Sequence, residues 1–192
     1  MSLSLGLKPH FLSAWLRNPM QMGAVLPSSN GLASAMAAQV APGTALTLEL
    51  GAGTGAVTAA LLSSGIDPQN LVVVEKDVKL AGQLNRRFPG LRVLAGDATR
   101  LRTLLAITGG GQVDTVVSSL PLLSMRAYAR TRVLAEIFAV LKPGGSLVQF
   151  TYSPKPPIPV SLADALQIGG QRVSRVFRNL PPATVWVYSR RH

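Results

Sequence analysis

The stretch from Leu46 to Thr58, LTLELGAGTGAVT, constrains the fold of this chain more than any other. A short apolar run enters three alternate glycines, Gly51, Gly53 and Gly55, and an apolar helical pattern starts near Val57 and continues to Leu62. The local plan is strand, tight turn, helix. With glycine at every second position no Cβ stands between the backbone and a ligand. The helix start beyond it offers unpaired N–H groups to a polar or anionic group. The spacing G-x-G-x-G falls one residue short, at its third glycine, of the dinucleotide pattern G-x-G-x-x-G. An ordinary strand-to-helix turn shares these features, so the remaining segments have to discriminate.

Downstream, β-like runs alternate with helical ones. Leu71–Glu75 is rich in β-branched residues and suits a strand buried on both faces. A helix over Lys79–Phe88 closes at Pro89-Gly90. Leu91–Ala98 forms a third strand, Leu101–Ile107 a short helix, and Val113–Ser119 a fourth strand ending at Leu120-Pro121. A helix over Tyr128–Leu141 stops at Lys142-Pro143-Gly144-Gly145, and Ser146–Tyr152 is a fifth strand. After a proline-rich loop and a short helix over Ser161–Ile168, Gln171–Phe177 and Ala183–Tyr188 form an antiparallel pair. Upstream, an Ala-rich helix over Gly31–Val40 is capped by Ser28, Ser29 or Asn30. Residues 9–18, PHFLSAWLRN, place Phe11, Leu12, Trp15 and Leu16 on one helical face, which either covers the core or lies in a lipid interface. Strands alternating with helices imply a mostly parallel sheet wrapped on both sides. With 192 residues and no internal repeat the chain is expected to form one domain, residues 1–30 covering the site and 31–192 carrying it.

Ligands of open α/β sheets bind beyond the carboxyl ends of the strands. Those ends here carry the glycine loop, Glu75, Asp97 and Ser118–Pro121. Glu75 stands 20 residues beyond Gly55, the distance at which an acid meets ribose hydroxyls in nucleotide-binding sheets. Together with Asp97 it favours a nucleoside. Cysteine is absent and the two histidines, His10 and His192, stand near opposite ends, so no metal site or histidine triad is expected. Nineteen Lys and Arg oppose eight Asp and Glu, a net charge of +11, which implies an anionic partner, either nucleic acid or a membrane surface. Mean hydropathy is +0.31, yet no segment approaches the ~20 apolar residues of a membrane span, and no secretory signal is visible. A cytoplasmic location, or a peripheral one on the inner face of the cell membrane, is expected.

Leu48–Gly55, Glu75, Gly96-Asp97-Ala98 and Leu141–Gly145 resemble the class I S-adenosylmethionine-dependent methyltransferases. Asn18-Pro19, Gly23–Ser29, Ser119–Leu122, Gln149-Phe150-Thr151-Tyr152 and Arg178–Pro182 are similar to segments of the bacterial phospholipid N-methyltransferases. Those enzymes methylate phosphatidylethanolamine stepwise to phosphatidylcholine. The resemblance implies a Rossmann-like α/β fold, with a mostly parallel seven-stranded sheet and a C-terminal antiparallel strand. It also implies S-adenosylmethionine as cofactor. Gly51, Ala52, Gly53 and Gly55 would pass under its methionine part, with Glu49 near the amino group. Glu75 and Lys76 would flank the ribose, Asp97 and Ala98 the adenine, and Ser118 and Ser119 the sulfonium methyl. Trp15, Ser28, Ser29 and Arg178 would bind the lipid, Arg178 its phosphate, with Arg17 and Arg126 as weaker candidates.

Methyl transfer to an amine depends on alignment with the sulfonium methyl, and an alkylamine must first lose its proton at neutral pH. No histidine stands in the central motifs, so the proton is expected to leave to water or to a backbone carbonyl near Ser119, in the Ser119–Leu120 turn. Tyr152 is either a hydrogen-bonding or cation-facing ring at the site or a plain edge aromatic. The rival reading is an RNA adenine N6-methyltransferase. Its Asn-Leu-Pro-aromatic pattern is replaced here by Ser119-Leu120-Pro121-Leu122, which lacks both the Asn and the aromatic. A phospholipid acceptor without nucleic acid is therefore expected.

Overall fold

The computed structural model describes residues 29–41, 43–107, 110–177 and 181–191. The expected helix over residues 9–18, Trp15, Ser28, Arg178 and the side chain of Ser29 lie outside them.

Among the described residues, seven strands form one sheet in the order β3-β2-β1-β4-β5-β7-β6. The strands are β1 (Thr47–Leu50), β2 (Leu71–Glu75), β3 (Arg92–Ala95), β4 (Val113–Ser118), β5 (Leu141–Thr151), β6 (Ile168–Val176) and β7 (Ala183–Arg190). The first five pair in parallel, whereas β7 is antiparallel to both β5 and β6. Helices α1 (Ser29–Ala37), α2 (Ala56–Ser63), α3 (Val78–Arg87), α4 (Leu101–Ala106), α5 (Ala127–Val140) and α6 (Val160–Ala165) cover the two faces. None of them is long and apolar enough to cross a membrane.

The β-branched run of β2 shows why the sheet is wrapped twice. Val72 and Val74 pack with Leu48, Leu50, Val116 and Leu147 against Leu101, Leu105, Leu134 and Ile137 of α4 and α5. Leu71 and Val73 face the other way, with Val117 and Val148, against Leu32, Met36, Val57, Leu61 and Leu84 of α1, α2 and α3. All five residues of β2 are buried; the first four are apolar on both faces, and the polar one, Glu75, stands at the carboxyl end.

Several boundaries differ from the sequence expectation. α1 spans Ser29–Ala37, so Ser29 and Asn30 lie within it and do not cap it, and β6 starts at Ile168 instead of Gln171, which shortens α6 to Val160–Ala165. Two others have a visible cause. β5 starts at Leu141 instead of Ser146, because Leu141 pairs with Val113 and Ser146 with Thr115. Residues 142–145 loop out of the ladder as a bulge. The Asp114 carboxylate secures it by accepting from Lys142 Nζ and from the Leu46 N–H. β3 ends at Ala95, earlier than Ala98, because Asp97 Oδ1 accepts the Thr99 N–H at 2.9 Å and turns the chain into a 3-10 segment, Ala98–Arg100. The chain moves outward from β1 to β3 and then crosses back to β4 on the far side of β1. The reversal opens a crevice between the carboxyl ends of β1 and β4, where ligands of such sheets bind.

Candidate active site

Three φ-positive glycines line that crevice for different reasons. Gly51 has φ +71°, and a Cβ there would stand 2.9 Å from Leu120 Cδ2, so the glycine lets the Ser119–Leu120 turn close onto the loop. Gly55 has φ +85°, and its Cβ would meet Phe88 and Leu84 at 2.7 and 2.8 Å, so it lets α2 approach α3. Gly53, with φ +55°, has nothing within 4 Å of a built Cβ. Open room at the middle glycine is what a ligand passing over the backbone requires. Arg87 steadies the loop by donating to the Thr54 carbonyl at 2.6 Å.

Of the two strand-end acids, Glu75 faces this loop. Glu75, 8 % exposed, accepts the Gly53 N–H at 2.9 Å through Oε2 and the Asp77 N–H at 2.9 Å through Oε1. Each carboxylate oxygen accepts two hydrogen bonds, so one site per oxygen is left for a ligand. Asp97 stands at the rim with its side chain 37 % exposed and pairs with Lys76 Nζ at 2.7 Å. The hydrogen bond from Lys76, then that from the Thr99 backbone, holds its carboxyl down to about 2. Ala98 behind it is buried. Glu75 and Asp97 thus project from neighbouring strands.

Glu49 lies under the loop, fully buried on β1. Its Oε2 accepts the Thr58 hydroxyl at 2.7 Å, while Oε1 has no partner among the described residues. Burial raises its carboxyl from 4.5 to about 7, against the lowering effect of the Thr58 hydrogen bonds. The folded state therefore holds this proton more tightly than the unfolded chain. Its contribution to stability is complete below pH 4.5 and is lost as pH rises through 7, about 3 kcal/mol in all.

On the β4 side, Ser118 is buried at the end of the strand and its Oγ accepts the Leu120 N–H at 3.3 Å. Ser119 donates its N–H to the Leu50 carbonyl at 2.9 Å. Gln149, paired in register with Ser118 and 1 % exposed, donates from Nε2 to the carbonyls of Leu120 and Phe150, each at 3.0 Å. The Ser119–Leu120 turn is clamped through both its N–H and its C=O. Tyr152 is half-buried against Phe150, ring centroids 5.3 Å apart and edge to face, in the packing layer of α1, α2 and α3.

The chain matches the family described as "Methyltransferase domain" over residues 47–145, from the first residue of β1 to the β5 bulge. The chain belongs to this methyltransferase family. It is 29% identical over 148 residues to an ornithine lipid N-methyltransferase of Singulisphaera acidiphila, covering 75% of this chain and 77% of that protein. A TehB-like methyltransferase of Corynebacterium glutamicum has the same fold, with TM-score 0.60, 20% identity and coverage of 95% of this chain and 97% of that one. So has the magnesium protoporphyrin IX methyltransferase of Synechocystis with bound S-adenosylmethionine, with TM-score 0.63, 12% identity and coverage of 85% and 78%. The fold is that of S-adenosylmethionine-dependent methyltransferases, with structural neighbours bound to S-adenosylmethionine.

The residues present fit it. The orphaned Glu49 oxygen suits an ammonium, the room at Gly53 suits the methionine chain, and the spare acceptor sites on Glu75 suit a ribose. An ammonium beside Glu49 favours the carboxylate, so binding should release a proton. Cofactor affinity is expected to rise with pH up to about 7 and then level off. Calorimetry in buffers of different ionisation enthalpy checks this, and Glu49→Gln should flatten the profile.

Two residues of the site carry no role in the sequence reading. Thr58 is the helix residue that meets Glu49. Gln149 is a polar residue buried between Val148 and Phe150 of an apolar strand. That interruption is its visible signal.

Proposed function

We propose that this methyltransferase N-methylates phosphatidylethanolamine and its mono- and dimethyl derivatives toward phosphatidylcholine, working peripherally on the cytoplasmic face of an anionic membrane. The observation that carries the reading is the similarity to an ornithine lipid N-methyltransferase along three quarters of the chain. Two further features support it: the charge of +11 and the loss of the base-stacking aromatic at Leu122.

Bound in the crevice, S-adenosylmethionine supplies a methyl group for an amine nitrogen to attack. The chain's task is to present that amine neutral and in line. The Leu120 carbonyl already accepts from Gln149 and keeps a second lone pair for the N–H of an unmethylated or monomethyl amine. The neutral dimethyl amine has no N–H and relies on alignment alone. Fixed between Ser118 and Gln149, the carbonyl orients the nitrogen and receives its hydrogen bond without reorganising. Ser119 is its neighbour in the turn, and Tyr152 is proposed to face the amine with its ring. Burial beside a cationic cofactor disfavours the protonated amine, so its proton leaves for solvent before attack. Trp15, Ser28, Ser29 and Arg178 remain proposed contacts to the lipid.

Gln149→Leu keeps the volume and removes the clamp. Its kcat is expected to fall about tenfold with cofactor affinity unchanged, the scale of one misplaced hydrogen bond at the site. Loss of cofactor binding in this variant would assign Gln149 to the cofactor instead.

The function itself is tested with methyl-labelled S-adenosylmethionine and vesicles containing phosphatidylethanolamine, ornithine lipid or neither, with unmodified ribosomal RNA in parallel. Label in mono-, di- and trimethylated phosphatidylethanolamine is the expected result. Label only in ornithine lipid would replace the headgroup, and label only in RNA would overturn the lipid reading.

A further inference from the structure

A cationic surface of the described chain is built on α4, α5 and the 3-10 segment before α4. Arg100, Arg102 and Arg132 line two adjoining hollows of about 440 and 310 Å³ that share Arg100 and Arg132. One acid faces them. Glu136 is buried on α5 and holds the Arg102 guanidinium at 2.7 Å and Arg132 at 3.6 Å, while Arg132 Nε also donates to the Thr99 carbonyl at 3.2 Å. Two guanidinium groups are thereby held in place, and Arg100 has no side-chain partner among the described residues. Three cationic groups against one buried carboxylate leave the surface strongly positive. The other acids do not offset it: Asp97, Asp114 and Asp164 pair with Lys76, Lys142 and Arg191, and Asp67 and Asp77 cap other helices.

Tyr128 lines the second hollow and is 81 % exposed. It is the second residue of α5, three residues after the Ser119–Met125 segment, where Leu123 is also exposed. Exposed aromatic and apolar side chains flanked by arginines match the headgroup level of a bilayer. Single-stranded nucleic acid needs a row of stacking rings, whereas Tyr128 is the one aromatic in either hollow. We infer that the face formed by Arg100, Arg102, Tyr128 and Arg132 docks on an anionic phospholipid bilayer. The inference rests on the lipid reading of the acceptor and adds the orientation. The Ser119–Leu120 turn runs through Leu122–Ser124 into α5, and the proposed docking orients the membrane so that a headgroup approaches Leu120 along that connection.

Co-sedimentation of the full chain with phosphatidylcholine vesicles, with and without phosphatidylglycerol, tests the face. Wild type is expected to bind only the anionic vesicles, less at high salt. Arg100→Glu should weaken that binding about thirtyfold, the effect of two charge units at an anionic leaflet. The same reversal at Arg172, exposed on the edge strand β6, should change it little. Tyr128→Ala should weaken binding without altering its salt dependence. Equal losses at Arg100 and Arg172, or none at Arg100, would overturn the proposed face. So would an RNA oligonucleotide held more tightly than vesicles and released by Arg100→Glu. Methylation of phosphatidylethanolamine in neutral detergent micelles separates the two proposals. Retained activity of Arg100→Glu in micelles locates its defect in docking. A wild type inactive in micelles but bound to anionic vesicles through Arg100 would sink the acceptor and keep the face.

Discussion

Glu75→Ala is expected to weaken S-adenosylmethionine binding by about a hundredfold or more. The carboxylate is nearly buried and acts on both sides of the site. It fastens the glycine loop through the Gly53 N–H and the chain beyond β2 through the Asp77 N–H, and it keeps one acceptor site on each oxygen. Hydrogen bonds to a charged group contribute ~1.5–3 kcal/mol each, and the substitution removes those to the ligand while leaving two backbone donors unpaired. Glu75→Gln retains one acceptor oxygen and should fall between alanine and wild type. Titration with S-adenosylhomocysteine, beside a circular dichroism spectrum to verify folding, measures the effect. Wild-type affinity in the alanine variant would place the nucleoside elsewhere.

The second large effect separates two glycines of the same loop. Gly55→Ala must adopt φ +85° and drive a methyl group into Leu84 and Phe88. The left-handed backbone costs ~1–2 kcal/mol and overpacking ~1–3 kcal/mol more, so a loss of about 2–5 kcal/mol in unfolding free energy is expected. Gly53→Ala has the strained backbone, φ +55°, with no neighbour to clash with. It should cost only about 1–2 kcal/mol while reducing cofactor affinity, because its methyl occupies the room left for the ligand. Urea unfolding and ligand titration on both variants should therefore rank them in opposite orders. The same ranking in both measurements would mean that the loop shapes the fold and not the cofactor site.

Most of the strand and helix plan was legible in the sequence because each segment's local pattern and its burial agree. Leu71–Glu75 reads as a doubly buried strand and is one, and the glycine spacing locates the turn after β1. The departures arise where a long-range contact sets the boundary. The bulge at residues 142–145 depends on Asp114, a residue of another strand. The early end of β3 depends on the turn that Asp97 caps.

The site divides in the same way. Sequence alone singled out the alternate glycines and strand-end acids as candidates, because these two features have few structural uses together, and the fold brings Glu75 onto the glycine loop. Tertiary structure decided what each one does now: Gly51 and Gly55 admit side chains, Gly53 leaves room, Glu75 ties the loop and Asp97 holds Lys76. It also brought Gln149 to the Leu120 carbonyl and Thr58 to Glu49, contacts across 29 and 9 residues of chain. The arginine surface belongs to this second class. Nineteen basic residues are visible in the sequence, but only the packing of α4 on α5 gathers three of them around one buried acid, since helices far apart in the chain meet only when the core closes.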